Sequence, residues 1–356
     1  MNDEEVLRAI TAMRLLSAGR YKEAAEWFPS DLLGLQSFVA LQARHEIDPP
    51  EGVLGDLVRG WANYYNANYP RAFEDFSKAE CTKIPWLKAY AWLGKGKVCT
   101  DLGFFADAAR WCCDASCLAR QFEHDDLVAA SQGARGEILL RTGHPRLATE
   151  AFSLDIALLP ASDRFRGRVM CYQAHAYRRL GAYSGAKLAY RTSAQQPGEE
   201  TAPYAYAGLA MLGAETNDSG LIDEAIRYAE AFYRGTRIHP SVGWVYIAKA
   251  RFAHQQGEAP LEWLALGKKY LPSSYLFEHQ WLANWTALFG GDPAPNFCAL
   301  ARLDNYRPAS PSTAPSDANE FDSEKVEAEL PNTGFANMKW STDLESLWEQ
   351  RELFVF

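Results

Sequence analysis

The chain has 356 residues, 48% of them apolar, with 45 acidic and 36 basic side chains and a formal net charge of −9. That much apolar material can build a sizeable core and excludes a low-complexity or wholly disordered chain. Net acidity argues against a general nucleic-acid binder, and no apolar run reaches the roughly 20 residues that a membrane-spanning helix needs.

The first element is an acidic start, Met1-Asn2-Asp3-Glu4-Glu5, running directly into an amphipathic helix with Val6, Leu7, Ile10, Met13 and Leu16. This predicts no secretory leader and a cytoplasmic location. A recurrence then dominates the chain: a small residue, Ala five positions on and usually an aromatic nine positions on. It reads Gly19/Ala24/Phe28, Ala67/Ala72/Phe76, Gly103/Ala108/Cys112, Gly143/Ala148/Phe152, Gly181/Ala186/Tyr190 and Gly220/Ala225/Ala229. Seven residues before each stands another small one: Ala12, Gly60, Gly96, Gly136, Ala174 and Gly213. The spacing predicts pairs of helices. The turn residue ends the first helix because Gly takes a positive φ without steric cost. The earlier small residue and the later Ala mark where two backbones come close. Tyr21, Tyr69, Phe105, Tyr183 and Ile222 are placed to cover the turns, and Phe28, Phe76, Phe152 and Tyr190 to fill the seam to the next pair. A lone pair cannot bury such a face, so neighbours must stack.

An insertion is expected at about 29–52, with Asp48-Pro49-Pro50-Glu51-Gly52 as a loop. After Phe232 the pattern degenerates, its marks being Trp244, Gly257, Pro272, Trp281, Trp285 and Gly290-Gly291. The order of small residue, Gly, Ala and aromatic resembles the tetratricopeptide repeat family over roughly Glu5 to Phe232, and more weakly to Arg302. Pro160 falls where that family often ends its second helix. The turn intervals of 48, 36, 40, 38 and 39 residues exceed the family period of about 34. The resemblance implies an all-α, right-handed superhelix of about seven to eight helix–turn–helix repeats across residues 1–303. It also implies an inner groove lined by first helices, where the matched register exposes Trp61, Tyr64, Tyr90, Lys97, Arg141, Arg168, His175, Arg178 and Lys249. Arg forks and aromatic faces suit an acidic or apolar partner segment.

Beyond the repeats, residues 304–337 read as a Pro/Ser-rich acidic linker. From Asp304 to Phe356 eleven acidic residues face four basic ones, a net −7, so acidity belongs to the tail. The last stretch, 338–356, places Trp340, Leu344, Leu347, Trp348, Phe354 and Phe356 at helical spacing after Ser341-Thr342. Such a segment must dock: as a cap on the last repeats, as an occupant of the chain's own groove, or on a partner.

Features that point to chemistry are sparse. Seven cysteines fit a reducing compartment. Cys112, Cys113, Cys117 and the following His124 lack the paired-cysteine spacing of a zinc site, so no metal is expected. Gly94-Lys95-Gly96-Lys97 lacks the strand and the Gly-Lys-Ser/Thr ending of a phosphate loop, so no cofactor is expected. No nucleophile elbow or His-Glu-x-x-His pair occurs. The expected function is therefore non-catalytic: an adaptor, chaperone or assembly subunit that binds one or more proteins. The first alternative is a sensor autoinhibited by its own tail. The second is a nucleic-acid-binding subunit, for which Arg164, Arg166, Arg168, Arg178, Arg179 and Arg191 interleave with Tyr172, Tyr177, Tyr183 and Tyr190.

Overall fold

The computed structural model describes residues 51–159, 161, 163, 165–196, 201–233, 240–273, 275–292, 295–297, 306–308 and 329–354. The N-terminal helix, the Gly19/Ala24/Phe28 recurrence, the expected insertion up to residue 50, Pro160, Arg164, Cys298 and Phe356 lie outside them.

Among the described residues all regular structure is helical. Six helix pairs follow one another: α1 (Val53–Tyr65) with α2 (Tyr69–Ala79), α3 (Pro85–Leu102) with α4 (Phe105–Gln121), α5 (Asp125–Arg141) with α6 (Pro145–Leu158), α7 (Arg166–Arg179) with α8 (Tyr183–Ala194), α9 (Thr201–Thr216) with α10 (Ser219–Tyr233), and α11 (Pro240–Gln255) with α12 (Leu261–Tyr270). Then come α13 (Leu276–Leu288), a 3-10 turn at Phe335–Asn337, the short α14 (Leu344–Glu349) and a 3-10 turn at Gln350–Leu353. None of these helices is long and apolar enough to cross a membrane.

The turn between the helices of each pair is the same device six times. One residue takes a left-handed conformation: Ala67 (φ 52°), Gly103 (81°), Gly143 (90°), Gly181 (73°), Asn217 (56°) and Gly257 (75°). The next amide then reaches back to a carbonyl five residues earlier, as in Phe104 to Cys99 at 2.8 Å, Ala182 to Tyr177 at 2.9 Å and Asp218 to Gly213 at 2.9 Å. This satisfies carbonyls that the helix end leaves open.

One register differs from expectation. The fifth turn is not at Gly220, which lies inside α10, but at Asn217, three residues earlier. Asn tolerates the left-handed region, and Asp218 supports the start of α10 by accepting from the Leu221 amide at 3.3 Å.

The chain divides into two compact units: Met1–Ile138, Ser153–Arg164 and Leu303–Gly334 form the first, and Leu139–Phe152, Phe165–Arg302 and Phe335–Phe356 the second. In the first unit the Phe76 ring is fully buried between Gly60 of α1 and Gly94 of α3. A Cβ at Gly60 or Gly94 would come within 2.6 or 2.4 Å of that ring, so both positions must lack a side chain. Gly96 of α3 lies against Ala108 and Cys112 of α4, which makes the close backbone contact read from the spacing. In the second unit the Tyr190 ring of α8 fills the corresponding seam against Gly208 of α9, within a core that includes Ala174, Ala186, Leu209 and Leu221. First helices also pack on one another, α7 on α9 and α9 on α11.

The stretch read as a linker is not free throughout. In the first unit Tyr306 donates its hydroxyl to Asp107 and packs against the rings of Phe73 (5.0 Å) and Phe104 (5.1 Å). The Pro331 carbonyl accepts from the Phe105 amide at 3.0 Å, and Asn332 Oδ1 from the Asp107 amide at 3.4 Å. Helix α4 has no side-chain cap of its own, so this distant segment caps it.

Ala67 supports a direct test, because an alanine in the left-handed region costs about 1–2 kcal/mol that glycine avoids. Ala67→Gly is expected to stabilise the chain by about 1 kcal/mol in urea unfolding. Gly181→Ala is expected to destabilise it by a similar amount, since nothing lies within 4 Å of its missing Cβ and the cost is one of backbone alone.

Candidate functional site

The nine expected groove positions divide between the units. In the first unit Trp61 is 7% exposed and packs edge-on against Phe76 at 5.2 Å, so it belongs to the core of α1 and α2. Tyr64 lies beside it at 5.7 Å, and its phenol is pushed up by burial and by the nearby Asp101 and Glu137 carboxylates. Tyr90 meets the His124 ring at 5.9 Å. Lys97 is paired with the buried Glu137 at 2.7 Å.

In the second unit Arg141, His175 and Arg178 are buried, contrary to the expected exposure. Arg168 donates to the Tyr172 hydroxyl at 2.9 Å and lies 4.5 Å from the Tyr204 ring centre, while Lys249 sits 5.5 Å from the Trp263 ring. His175 bonds the Tyr190 hydroxyl at 2.7 Å, inside the α7–α8 pair. Burial, helped by the Arg178 charge, lowers its pKa to about 3, and burial raises the neighbouring Cys171 thiol to about 12. The thiol 3.8 Å from the imidazole thus stays un-ionised, and only a thiolate would be a cysteine nucleophile.

Of the nine, Arg178 leads to a built site. It projects from the last turn of α7, where a cation is favoured by the helix dipole. Its guanidinium binds Glu215 at the end of α9 and Glu352 of the tail, the latter at 3.0 Å. Arg351 of the tail binds the same Glu215 and lies 2.9 Å from Glu352, and Arg179 approaches Glu352 at 3.6 Å. Three guanidiniums thus surround two carboxylates. Burial alone would raise the Glu352 carboxyl, but the charges of Arg178, Arg351 and Arg179 outweigh it and hold the pKa at about 2.

Beside this cluster the tail makes an aromatic contact. Trp348 lies 5.3 Å from Trp285 and 6.0 Å from Trp281, both on α13, and its ring is faced by Arg351 at 4.4 Å and Arg251 of α11 at 5.6 Å. Trp281 donates its indole N–H to the Leu347 carbonyl at 2.5 Å, and Arg251 forks onto Glu345 at 2.6 Å. Phe335 packs on Phe277 at 4.9 Å, Phe354 on Phe335 at 5.8 Å, and Trp340 stacks on Phe354 at 6.0 Å.

Of the tail residues singled out by pattern, Leu347, Trp348 and Phe354 are therefore buried, and Leu344 and Trp340 are half-buried. The helix is shorter than the pattern implies: it starts at the Asp343 cap, which accepts from the Ser346 amide at 2.9 Å, and stops at Glu349.

The pattern did not single out Glu215, Arg251, Arg351 or Glu352. One signal was present, since an acid such as Glu215 at the C-terminal end of a helix opposes the helix dipole and calls for a cation partner. The thiols weighed as metal ligands are split, Cys112 buried and Cys113 and Cys117 exposed. Among the described residues no group of three or more His, Cys, Asp or Glu side chains is arranged to hold a metal ion. No family model matches the chain, and no curated protein matches it significantly.

These shifts set a pH dependence. Released from its arginines, Glu352 titrates near 4.5, and docked it titrates near 2. The docked tail is therefore favoured above pH 4.5 and loses roughly 2–3 kcal/mol as pH falls towards 2. His175 acts in the same direction on global unfolding: its contribution is full above pH 6.5 and fades towards pH 3. Protection of residues 341–354 against hydrogen exchange, taken relative to the intrinsic amide rate at each pH, is expected to fall on acidification, and Glu352→Gln is expected to flatten the part below pH 4.5.

Proposed function

We propose that this protein is a non-catalytic protein-interaction module, an adaptor, chaperone or assembly subunit, whose second unit holds an acidic, aromatic segment across the first helices α7, α9, α11 and α13. In the structure that segment is the chain's own tail. The observation that carries the reading is Glu352, a carboxylate seated among Arg178, Arg179 and Arg351 beside the Trp281–Trp285 surface. A buried charge is costly unless paired, so a surface built this way favours an acidic occupant over an apolar one.

The helix pairs, their left-handed turns and their small-residue contacts support the tetratricopeptide-like reading, continued as a right-handed superhelix of seven or eight repeats with the site on its inner wall. Cys81, Cys99, Cys117 and Cys171 are free thiols, which suits a cytoplasmic protein. Arg168 and Arg178, weighed as nucleic-acid ligands, are engaged with Tyr172, Glu215 and Glu352, which favours a protein partner.

A second reading, regulation by the tail, is favoured by its reach. A terminal cap needs only the last helix, whereas this segment engages α13, α11, α9 and α7 in turn.

The test is a photo-crosslinking residue placed at the exposed Leu288, about one turn beyond Trp285 on α13, in the full chain expressed in its native source. One discrete protein adduct is expected, stronger when Trp348→Ala and Glu352→Gln loosen the tail. No protein adduct in either form, with both folded by circular dichroism, would remove the protein-binding reading. Equal adducts would keep recognition and remove regulation by the tail.

A further inference from the structure

We infer that the face under the tail takes from a partner protein an amphipathic segment carrying a carboxylate, an aromatic ring three residues on, a cation six residues on and a second carboxylate seven residues on. This rests on the protein-binding reading above and specifies its ligand. The order is copied from the occupant in place: Glu345, Trp348, Arg351 and Glu352. Each of the four has its own receptor. Arg251 forks onto Glu345, the Trp281–Trp285 surface takes Trp348, Glu215 takes Arg351, and Arg178 with Arg179 takes Glu352. Spacings of three and seven bring side chains to one face of a helix, so a single helical turn or two can meet all the receptors.

The receptor is cationic, with Arg178, Arg179 and Arg251 against Glu215, which argues for an acidic occupant. It is also incompletely served by the tail. The Nε of Arg178, the Nε of Arg251 and the indole nitrogen of Trp285 are buried and make no hydrogen bond among the described residues. A buried donor without an acceptor weakens the complex that leaves it so. The tail compensates by being tethered, because a linked segment acts at a high effective concentration, on the order of millimolar for a short flexible linker. A partner with the same four groups and a longer acidic helix has acceptors for those donors, and this lets it displace the tail. The four receptors are unequal. Arg178 is 3% exposed in its pair with Glu352, whereas Glu345 is 63% exposed in its pair with Arg251. Loss of the buried pair should cost on the order of 100-fold in affinity, and loss of the exposed one no more than about 5-fold.

The experiment uses the full chain with Trp348→Ala and Glu352→Gln, which loosens the tail without touching the receptor, and the unaltered full chain. The probe is a fluorescein-labelled peptide of residues 341–354, read by anisotropy. The loosened chain is expected to bind it at least about 10-fold more tightly than the unaltered chain. Glu352→Gln in the peptide should weaken binding about 100-fold and Trp348→Ala about 30-fold. Glu345→Arg in the peptide should be rescued by Arg251→Glu in the loosened chain, an exchange that a merely apolar contact would not reward. Equal binding of a peptide with alanine at all three charged positions overturns the four-group ligand while leaving the face a segment receptor. No peptide binding by a loosened chain that melts like the unaltered one overturns the protein-binding reading as well. Concentration-dependent dimers of the unaltered chain, abolished by Arg178→Met, would make a second copy the occupant and overturn the assignment to a partner.

Discussion

A helix pair with one apolar face is stable only if its two backbones come close and its turn is short, and the left-handed residue at the end of each first helix meets both needs. The conformation reverses the chain within three residues and closes the open carbonyls of the helix end. In the second unit it also fixes where charges are delivered. Arg178 stands three residues before Gly181, and Glu215 two residues before Asn217, so both turns place a charged side chain at the same end of neighbouring first helices. The small-residue contacts complete the arrangement. Tyr190 occupies the space left by Gly208, and this holds α7, α8 and α9 in the packing that brings Arg178 and Glu215 together.

The cluster so formed has a physical consequence for the tail. Arg178 and Glu215 alone form one pair, and the Arg179 charge beside them is left for another carboxylate. Glu352 supplies it, and Arg351 returns a cation to Glu215, so the tail enters as a neutral pair within a net cationic cluster. Buried ion pairs contribute little net stability compared with apolar packing, but removing one partner is strongly unfavourable. Such a cluster therefore acts on specificity. It tolerates the correct occupant and penalises one without the charge, while the Trp281, Trp285 and Trp348 contact supplies the apolar area.

Much of the fold was legible because its signals are local. The conformational freedom of Gly103, Gly143 and Gly181, and the absence of bulk at Gly96 and Ala108, are properties of single residues that the structure uses as the spacing implied, whereas Gly60 makes room for the Phe76 ring and not for the paired backbone. The fifth turn was misread for an instructive reason. Gly220 has the freedom but not the position, and Asn217 has the position because an amide side chain also tolerates a positive φ. The candidate site was far less legible. Trp61, His175 and Arg178 looked like surface residues on a helical register, yet each is buried by something remote in sequence or on the facing helix: Phe76, Tyr190 and Glu352. The tail's apolar residues announced that they must dock, since exposed Trp348 and Phe354 would be a liability, but not where.

By itself, then, the sequence determined the helical class, the pairing of helices, most of the turns and the presence of a docking segment, because periodicity, glycine and net charge act over a few neighbouring residues. Only the tertiary structure decided which charges are paired. The contacts of Arg178 with Glu352 and of Arg251 with Glu345 span 174 and 94 residues, and no local rule encodes a partner at that distance. They exist because packed helices bring distant parts of the second unit's chain together, and at the buried Arg178–Glu352 pair desolvation makes an unmatched charge too costly to keep.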